Sequence, residues 1–485
     1  MKLSQRQQAH LRSLPARLSA AGYHERELAD LFELCDLYVL RDGISARTLA
    51  RAQQDTPLAH LGSFWFLGQT RPRALLEGLM GAQALAVLER LDLVQDSPDG
   101  LKARALLFPC LGRYLFTDLF APVGDPQFQV YWLGSDSLGL ARCAPRKPVG
   151  RSLDLCTGSG VHAVLAASHA SEAWGVDINP RALHISRINA LMNGQGAVCN
   201  FAQGSLYEPL PEGRFGLITA NPPFVPTPRS DLAFFRPGGE TGEAITEAIV
   251  RGLPERLEVG GTLALVSQHP VIRGSHLLDR VESWLGGADG WGLAYLMMAP
   301  LDRDEMIAGH IDTPGQFATR LGVEEGAAAY RREFETWLDS YEANGIEGVE
   351  LGLFYVRRLE PGLPGWRTEC HLNLPSGSLS SWVEDWLDAQ ERFSRLPDPG
   401  WKPTWTPGCQ RVMLDARNGE GFVFRDPACR LGDFYLSPEN AFLLDRADGR
   451  QSARQLAQSF ALRFERKAGE GLTRLADLGR QLLVR

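Results

Sequence analysis

The segment Asn221-Pro222-Pro223-Phe224 contains the residue types best suited to chemistry. It follows an apolar run, Phe215–Ala220, that is typical of a short buried strand. Two adjacent prolines remove two backbone donors and hold the chain extended, which leaves the carbonyl of Pro222 free to face a ligand. This carbonyl and the side-chain oxygen of Asn221 together offer two hydrogen-bond acceptors to an N–H₂ group. Phe224 adds a flat apolar wall for a planar group. The alternative is a rigid turn that only ends a strand.

A glycine-rich turn lies about sixty residues upstream and is predicted to join a strand to a helix. Glycine permits a close approach between backbone and ligand, because a β-carbon at these positions would collide with it. The Gly-x-Gly-x-x-Gly fingerprint of dinucleotide enzymes is absent. We predict that the turn binds a cofactor through Asp154, Cys156, Thr157, Gly158, Ser159 and Gly160.

The next predicted strand ends at Asp177, seventeen residues after Gly160, which suits one helix plus one strand. A carboxylate at this place can accept hydrogen bonds from both hydroxyl groups of a ribose. We therefore predict cofactor contacts at Asp177 and at the two residues that follow it, Ile178 and Asn179.

Taken in this order, the three segments resemble the class I S-adenosylmethionine (SAM) methyltransferases that methylate a planar nitrogen. The nearest resemblance is to the HemK-type protein-glutamine N-methyltransferases and to the ribosomal-RNA guanine N2-methyltransferases built on the same small domain. The resemblance covers roughly residues 126–300. Cys156 departs from it by replacing the first glycine of Asp-x-Gly-x-Gly-x-Gly, and Thr241 replaces the aspartate of a later Gly-Gly-Glu-Asp-Gly stretch.

The resemblance implies SAM as cofactor and a role for each motif. Asn221 and Pro222 would hold the target nitrogen, beside the cofactor, while Pro223 and Phe224 complete that site. A further loop stands where the family has Gly-Asp-Leu and would contact the adenine through Gly204, Ser205 and Leu206. The segment Leu133–Gly139 precedes the core and is expected to fold over the cofactor, with Asp136 and Ser137 as candidate contacts. A nitrogen that loses its proton after the transfer needs no strong general base. We therefore predict structural roles for four histidines, His162, His269, His310 and His371.

The composition is that of an ordinary globular protein of 485 residues with a formal charge of −8 and a pI near 5.8. This balance lacks the basic footprint of a general nucleic-acid binder and makes RNA the less favoured partner. The eight cysteines are scattered without a Cys-x-x-Cys pair, so no metal site is predicted. The sequence shows no apolar signal segment and no membrane span, which favours a cytoplasmic location without a membrane partner.

Three domains are predicted. Residues 1–125 read as a helical, winged-helix domain, and residues 126–365 as a Rossmann-like α/β core. The core is expected to be a doubly wound, mostly parallel sheet of seven strands with a helical insertion near residues 301–350. Residues 366–485 read as a small α+β, winged-helix-like domain with a hairpin around Asn418-Gly419 and three helices. This last domain faintly resembles peptide-recognition domains; the alternative is a lid or a dimerisation domain.

These observations predict a SAM-dependent N-methyltransferase that acts on an amide or amine nitrogen. The acidic charge and the C-terminal domain favour a protein, a peptide or a peptide-like metabolite as the acceptor. Two alternatives remain: a ribosomal-RNA base methyltransferase, and a protein that binds SAM without turning it over.

Overall fold

A computed structural model of the chain describes residues 3–42, 45–120, 125, 128–229, 238–372, 377–394, 398–404, 410–413, 422–425 and 433–481. The centre of the molecule is a sheet in which eight strands are described. Seven of these eight run parallel to one another, and the remaining one, Ile346–Arg358, runs antiparallel to both of its neighbours. The chain therefore has the mostly parallel, Rossmann-like sheet that the sequence predicts.

The strands of this sheet, in chain order, are β5 (Val149–Leu155), β6 (Ala170–Asp177), β7 (Cys199–Gln203), β8 (Phe215–Ala220), β9 (Leu257–Ile272), β10 (Trp291–Leu301), β11 (Ile346–Arg358) and β12 (Trp366–His371). Their order across the sheet is β12-β10-β11-β9-β8-β5-β6-β7. The first strand, β5, lies between β8 and β6, so the chain winds outward from β5 in both directions. Ligands bind at such a switch point, outside the carboxyl ends of the strands.

The strand β12 was not expected in the core, and it makes the sheet one strand larger than the predicted seven. It pairs in parallel with β10, from Gly292↔Trp366 to Met297↔His371. Its exposure pattern alternates along the strand, as at the edge of a sheet. The predicted boundary after residue 365 thus falls just before a strand that belongs to the core sheet.

Helices cover both faces of the sheet. They are α8 (Ser135–Cys143), α9 (Val161–Ala166), α10 (Pro180–Met192), α11 (Ala244–Arg256), α12 (Leu277–Leu285) and α16 (Ser380–Arg392). Three more lie between β10 and β11, where an insertion was predicted: α13 (Arg303–His310), α14 (Pro314–Leu321) and α15 (Val323–Ala343). Trp337 and Tyr341 of α15 are fully buried against Val225, close behind the Asn-Pro-Pro-Phe segment. The insertion therefore forms part of the wall around that segment.

The N-terminal region contains helices and two hairpins. The helices are α1 (Gln5–Arg12), α2 (Leu14–Ala20), α3 (Glu25–Phe32), a 3₁₀ turn (Leu37–Asp42), α4 (Ala46–Arg51), α5 (Pro57–Trp65), α6 (Arg73–Met80) and α7 (Ala82–Arg90). The hairpins are β1 (Val94–Ser97) with β2 (Gly100–Ala103), and β3 (Leu106–Cys110) with β4 (Arg113–Thr117). One long helix was expected over residues 73–91, but Gly81 adopts a φ of 85° and divides it into α6 and α7.

Two asparagines of α10 fasten this N-terminal region to the core. Asn189 accepts the N–H of Phe116 at 2.8 Å and donates to the carbonyl of Phe116 at 2.9 Å. Asn193, one turn later, makes the same pair of bonds with Tyr114, at 3.0 and 2.7 Å. The outer edge of β4 is thereby paired with side chains of α10, and a continuous hydrophobic core joins the two regions.

The C-terminal region contains the strands β13 (Gln410–Met413), β14 (Phe422–Arg425) and β15 (Asp433–Leu436) and the helices α17 (Pro438–Asp445), α18 (Ala453–Phe464) and α19 (Ala468–Arg480). The predicted strands and helices occur here, β13 and β14 pair antiparallel, and Ser452 caps α18 through a capping box. The turn at Asn418-Gly419 lies outside the described residues. Gln390 of α16 donates to the carbonyl of Arg480 at 2.8 Å, which attaches α19 to the core. No helix in the described part of the chain is long and apolar enough to cross a membrane.

Replacement of Asn189 by alanine should loosen the attachment of β4. The substitution leaves the buried N–H and C=O of Phe116 without their partners, at a cost of about 1–3 kcal/mol for each orphaned group. We expect amide hydrogen exchange in β4 to accelerate at least about tenfold, since about 1.4 kcal/mol corresponds to that factor. Asn344→Ala is the matched control, because within the described residues the Asn344 side chain bonds only to the carbonyl of Ser340 in its own helix end. Equal exchange in the two variants would contradict the attachment.

Candidate cofactor and acceptor site

One cavity of about 270 Å³ lies beyond the carboxyl ends of β5, β6 and β8. Its lining combines the segments that the sequence singled out: Cys156, Thr157, Gly158, Ser159, Asp177, Ile178, Asn179, Gly204, Ser205, Leu206, Asn221, Pro222, Pro223 and Phe224. The predicted cofactor contacts and the predicted acceptor contacts thus face the same space. A group transferred from a cofactor to an acceptor bound at these contacts would not have to leave the cavity.

The glycine-rich turn owes its shape to residues with positive φ. Cys156, Gly158 and Gly160 have φ angles of 55°, 52° and 79°. A β-carbon on Gly160 would lie 2.6 Å from Cβ of Ser186, so this glycine allows α9 to pack closely on α10. A β-carbon on Gly158 would meet only the carbonyl of Cys156, at 3.9 Å, because this residue borders open cavity space. Gly158 therefore supplies conformation and access, whereas Gly160 supplies packing.

Asp154 and Gly160 were predicted to touch the cofactor, but neither lines the cavity in the described structure. The carboxylate of Asp154 lies beneath the turn, where it accepts from Oγ1 of Thr157, Oγ1 of Thr219 and the N–H of Ala163. Burial raises the pKa of Asp154 to about 7, although these hydrogen bonds act against the rise. Asp154 thus holds the turn from behind and links it to β8.

Asp177 stands at the end of β6 and bridges two backbone donors. Its Oδ2 accepts the N–H of Gly158 at 2.9 Å, and its Oδ1 accepts the N–H of Asn179 at 2.8 Å. Burial raises the pKa of this carboxyl above its ordinary value, against the lowering effect of the backbone N–H groups. An ionised carboxylate has about four lone-pair sites, so acceptor capacity remains for ligand hydroxyl groups. The third loop joins this edge, because the N–H of Gly204 donates to the carbonyl of Asp177 at 3.1 Å.

Asn221 follows β8 directly, and its amide group has a fixed orientation. Nδ2 of Asn221 donates to Oδ2 of Asp136 at 3.0 Å and to Oγ of Ser137 at 3.1 Å. Both partners lie in the first turn of α8. Because the two heteroatoms of an amide point to opposite sides, Oδ1 is directed away from α8, and no protein donor to Oδ1 is found in the described part of the chain. The side-chain oxygen is thus kept available as an acceptor.

Several cavity residues escaped the sequence analysis. Residues 129–132 of the segment before α8 cover one side of the cavity, and Asn179 holds this segment by donating to the carbonyl of Phe128 at 2.9 Å. Leu133, Asp136 and Ser137, which belong to the segment expected to fold over the cofactor, line the cavity as well. Ile245, Gln268 and His310 lie toward the acceptor end, together with Phe224 and Val225. His162 and His310, which were both expected to be structural, therefore line the cavity. The aromatic run of Tyr131 and Trp132 was the available signal, whereas single residues such as Gln268 carry no pattern.

The residues present fit SAM. A turn with open space above Gly158, a half-buried carboxylate at Asp177 and the third loop at Ser205 border one continuous cavity. Burial lowers the pKa of the His162 imidazole to about 3, so this ring is neutral at physiological pH and adds no positive charge beside a cationic cofactor. Within the described residues, no cluster of three or more histidines, cysteines and carboxylates is arranged to hold a metal ion.

Comparison with known proteins places these motifs in a family. The model of the methyltransferase small domain matches residues 134–283. The release factor glutamine methyltransferase of Deinococcus radiodurans is 31% identical over 221 residues, which cover 40% of this chain and 76% of that protein. The chain belongs to the class I SAM-dependent methyltransferases and is related to the HemK-type glutamine methyltransferases.

Two further relatives define the extent of the similarity. The ribosomal protein uL3 glutamine methyltransferase of Bradyrhizobium diazoefficiens is 33% identical over 167 residues, which cover 31% of this chain and 51% of that protein. The release factor glutamine methyltransferase of Geobacter sulfurreducens is 37% identical over 125 residues, 23% of this chain and 43% of that protein. This methyltransferase therefore spans about half the length of these two relatives. Most of the regions that flank residues 134–283 lie outside the matched domain.

Asp177→Asn should weaken SAM binding by the methyltransferase about 10- to 100-fold, the range expected when a hydrogen bond to a charged group is lost. The amide has one acceptor oxygen in place of two, so it cannot serve Gly158, Asn179 and a ligand hydroxyl together. Calorimetric titration with SAM gives the dissociation constant. Glu172→Gln, near the start of the same strand and outside the cavity, should bind as the unaltered protein does. Equal affinities in both variants would remove Asp177 from the cofactor site.

Cys156 tests how the turn tolerates the loss of the family's first glycine. Its φ of 55° is unstrained for glycine and a genuine outlier for a β-branched residue. We expect Cys156→Gly to keep SAM affinity within about threefold, and Cys156→Val to weaken it more than about tenfold, because strain of roughly 1–3 kcal/mol would distort the turn. Equal binding of SAM by the two variants would show that the backbone of this turn does not control the cofactor site.

Proposed function

We propose that this protein is an N-methyltransferase that uses SAM to methylate a carboxamide nitrogen of a protein or peptide. One observation carries the proposal: the fixed amide of Asn221 presents its oxygen in the same cavity as the cofactor turn. A non-catalytic SAM-binding protein would have no need for this arrangement. The relatives described above are glutamine methyltransferases of a release factor and of a ribosomal protein, which supports the choice of a carboxamide.

The residues of the chain are suited to hold a weakly basic nitrogen in place. SAM, when bound, supplies an electrophilic methyl group. Oδ1 of Asn221 and the carbonyl of Pro222 would accept the N–H bonds of the target, which turns the nitrogen lone pair toward the cofactor. The same two oxygens stabilise positive charge as it develops on that nitrogen. Phe224 would pack against the flat carboxamide. The released proton can pass to water afterwards, so the site needs no buried base.

The proposal can be tested with radiolabelled SAM in a bacterial lysate. Label should become insoluble in acid, resist RNase and disappear on protease treatment. Strong acid cleaves an N-methylated carboxamide to a carboxylic acid and methylamine, which is volatile from alkaline solution. We therefore expect hydrolysis of the labelled protein to release most of the label as volatile methylamine. Label that is removed by RNase, or that stays non-volatile as a methylated amine or base, would contradict a carboxamide acceptor.

Asn221→Ala should reduce this transfer by about 100- to 1,000-fold, the range seen when one preorganised hydrogen-bonding group is removed from an active site. The variant should still bind SAM in a calorimetric titration, because the turn and Asp177 are unchanged. Asn344→Ala, which removes the same side chain at the end of α15, serves as the control. Transfer by Asn221→Ala at the rate of this control would contradict the proposed role of Asn221 in holding the acceptor nitrogen.

A further inference from the structure

A chain of hydrogen bonds leads from Tyr131, in the segment that covers the cavity, to Asn221, which together with Pro222 forms the proposed clamp for the acceptor nitrogen. The hydroxyl of Tyr131 donates to Oδ1 of Asp136 at 3.2 Å, and Nδ2 of Asn221 donates to Oδ2 of the same carboxylate at 3.0 Å. Ser137 takes the second N–H of Asn221 through its Oγ, at 3.1 Å. The clamp residue is thus anchored through its nitrogen by two neighbouring residues of α8.

The surroundings of Asp136 leave room for little else. The side chain is almost fully buried, with 4% of the residue exposed. Gly134 makes the approach possible, because a β-carbon there would lie 2.4 Å from the Tyr131 hydroxyl and 2.5 Å from Oδ1 of Asp136. A buried carboxylate is costly unless hydrogen bonds compensate it. Tyr131, Asn221 and the backbone N–H of Ser137 supply this compensation, and Asn221 is the residue proposed to hold the acceptor.

We propose that Asp136 is a positioning residue for methyl transfer, and that it acts on the acceptor nitrogen through Asn221. The inference rests on the proposed function and gives Asp136 a role other than the cofactor contact that the sequence suggested. The carboxylate fixes which atom of the Asn221 amide faces the cavity. Its negative charge, at 3.0 Å from Nδ2, also polarises the amide, so that Oδ1 becomes a stronger acceptor. Both effects favour the state in which the acceptor nitrogen gains positive charge.

The ionisation of Asp136 gives this role a signature in the pH dependence. Burial raises the pKa of Asp136 above the ordinary value of an aspartate, whereas the bonds from Asn221, Ser137 and Tyr131 lower it. Protonation removes the charge and one acceptor position, so turnover should fall as the pH decreases through this raised pKa. Asp177, His310 and the neutral His162 line the same cavity, and Asp154 lies behind it. A substitution at Asp136 itself is therefore needed to assign the decrease of kcat at low pH, the acidic limb of the pH profile, to this residue.

Asp136→Asn is the central variant, since it preserves shape and removes charge. With the labelled acceptor of the lysate assay, we expect kcat to fall about 10- to 100-fold, as when the hydrogen-bond partner behind a functional group is removed. The SAM dissociation constant should stay within about twofold, because the contact is to Asn221 and not to the cofactor. The acidic limb of the kcat profile should disappear. Asp99→Asn, in the exposed turn of the first hairpin, is the matched control and should behave as the unaltered protein.

Tyr131→Phe provides a second, milder variant. Loss of the phenol hydroxyl removes a bond that lowers the pKa of Asp136, so the acidic limb should move to higher pH while the ring still covers the cavity. A limb that stays in place in both variants, or an unchanged kcat in Asp136→Asn, would overturn the role of Asp136. Loss of SAM affinity in proportion to kcat would also overturn it, by making Asp136 a cofactor contact. Failure of the unaltered protein to label any acceptor would instead refute the proposed function.

Discussion

Parallel strands that end at one edge of a sheet are the constraint on which this site depends. Because β5, β6 and β8 run side by side in the same direction, the residues that follow them emerge within one cavity. Hydrogen bonds then close the gaps between neighbouring strand ends. Asp177 at the end of β6 accepts from Gly158 after β5, and Asp154 within β5 accepts from Thr219 within β8. Each carboxylate thus connects two strands, and the cavity between them has a fixed shape.

The local parts of this arrangement could be predicted from the sequence. The bounds of β8 are those that its apolar run indicated, because turn residues on both sides of a short apolar run fix where a buried strand begins and ends. The glycine-rich turn and Asp177 could be predicted for a similar reason. Glycines indicate backbone with positive φ, and the end of an apolar run indicates the end of a strand. The prediction of one long helix over residues 73–91 was wrong at a single residue, Gly81, because a lone glycine in an apolar pattern does not reveal its φ.

What could not be predicted depends on pairs of residues far apart in the chain. Asp136 and Asn221 are separated by 85 positions, and Asn193 and Tyr114 by 79, so no spacing rule connects them. The edge strand β12 was missed for a related reason, since its half-exposed residues gain their meaning only beside β10. These long-range bonds also bear on the winged-helix domain that was predicted for the N-terminal region. The backbone of Tyr114 and Phe116 in β4 is already bonded to α10, so this face of the N-terminal region serves the core and is not an open surface for nucleic acid.

The choice of acceptor molecule must come from parts outside the motifs, and the contacts indicate which part lies closest. The hydroxyl of Tyr341 in α15 donates to the carbonyl of Pro226 at 3.1 Å, two residues after Phe224. Glu333 of the same helix pairs with Arg229 at 3.0 Å. His310, at the end of α13, lines the acceptor end of the cavity. The insertion thus lies beside Asn221, whereas the described contacts of the C-terminal helices to the core, such as Gln390 to Arg480, lie on α16. Under the proposed function, the Asn-Pro-Pro-Phe segment would select the atom, and the insertion between β10 and β11 is the described element best placed to select the molecule.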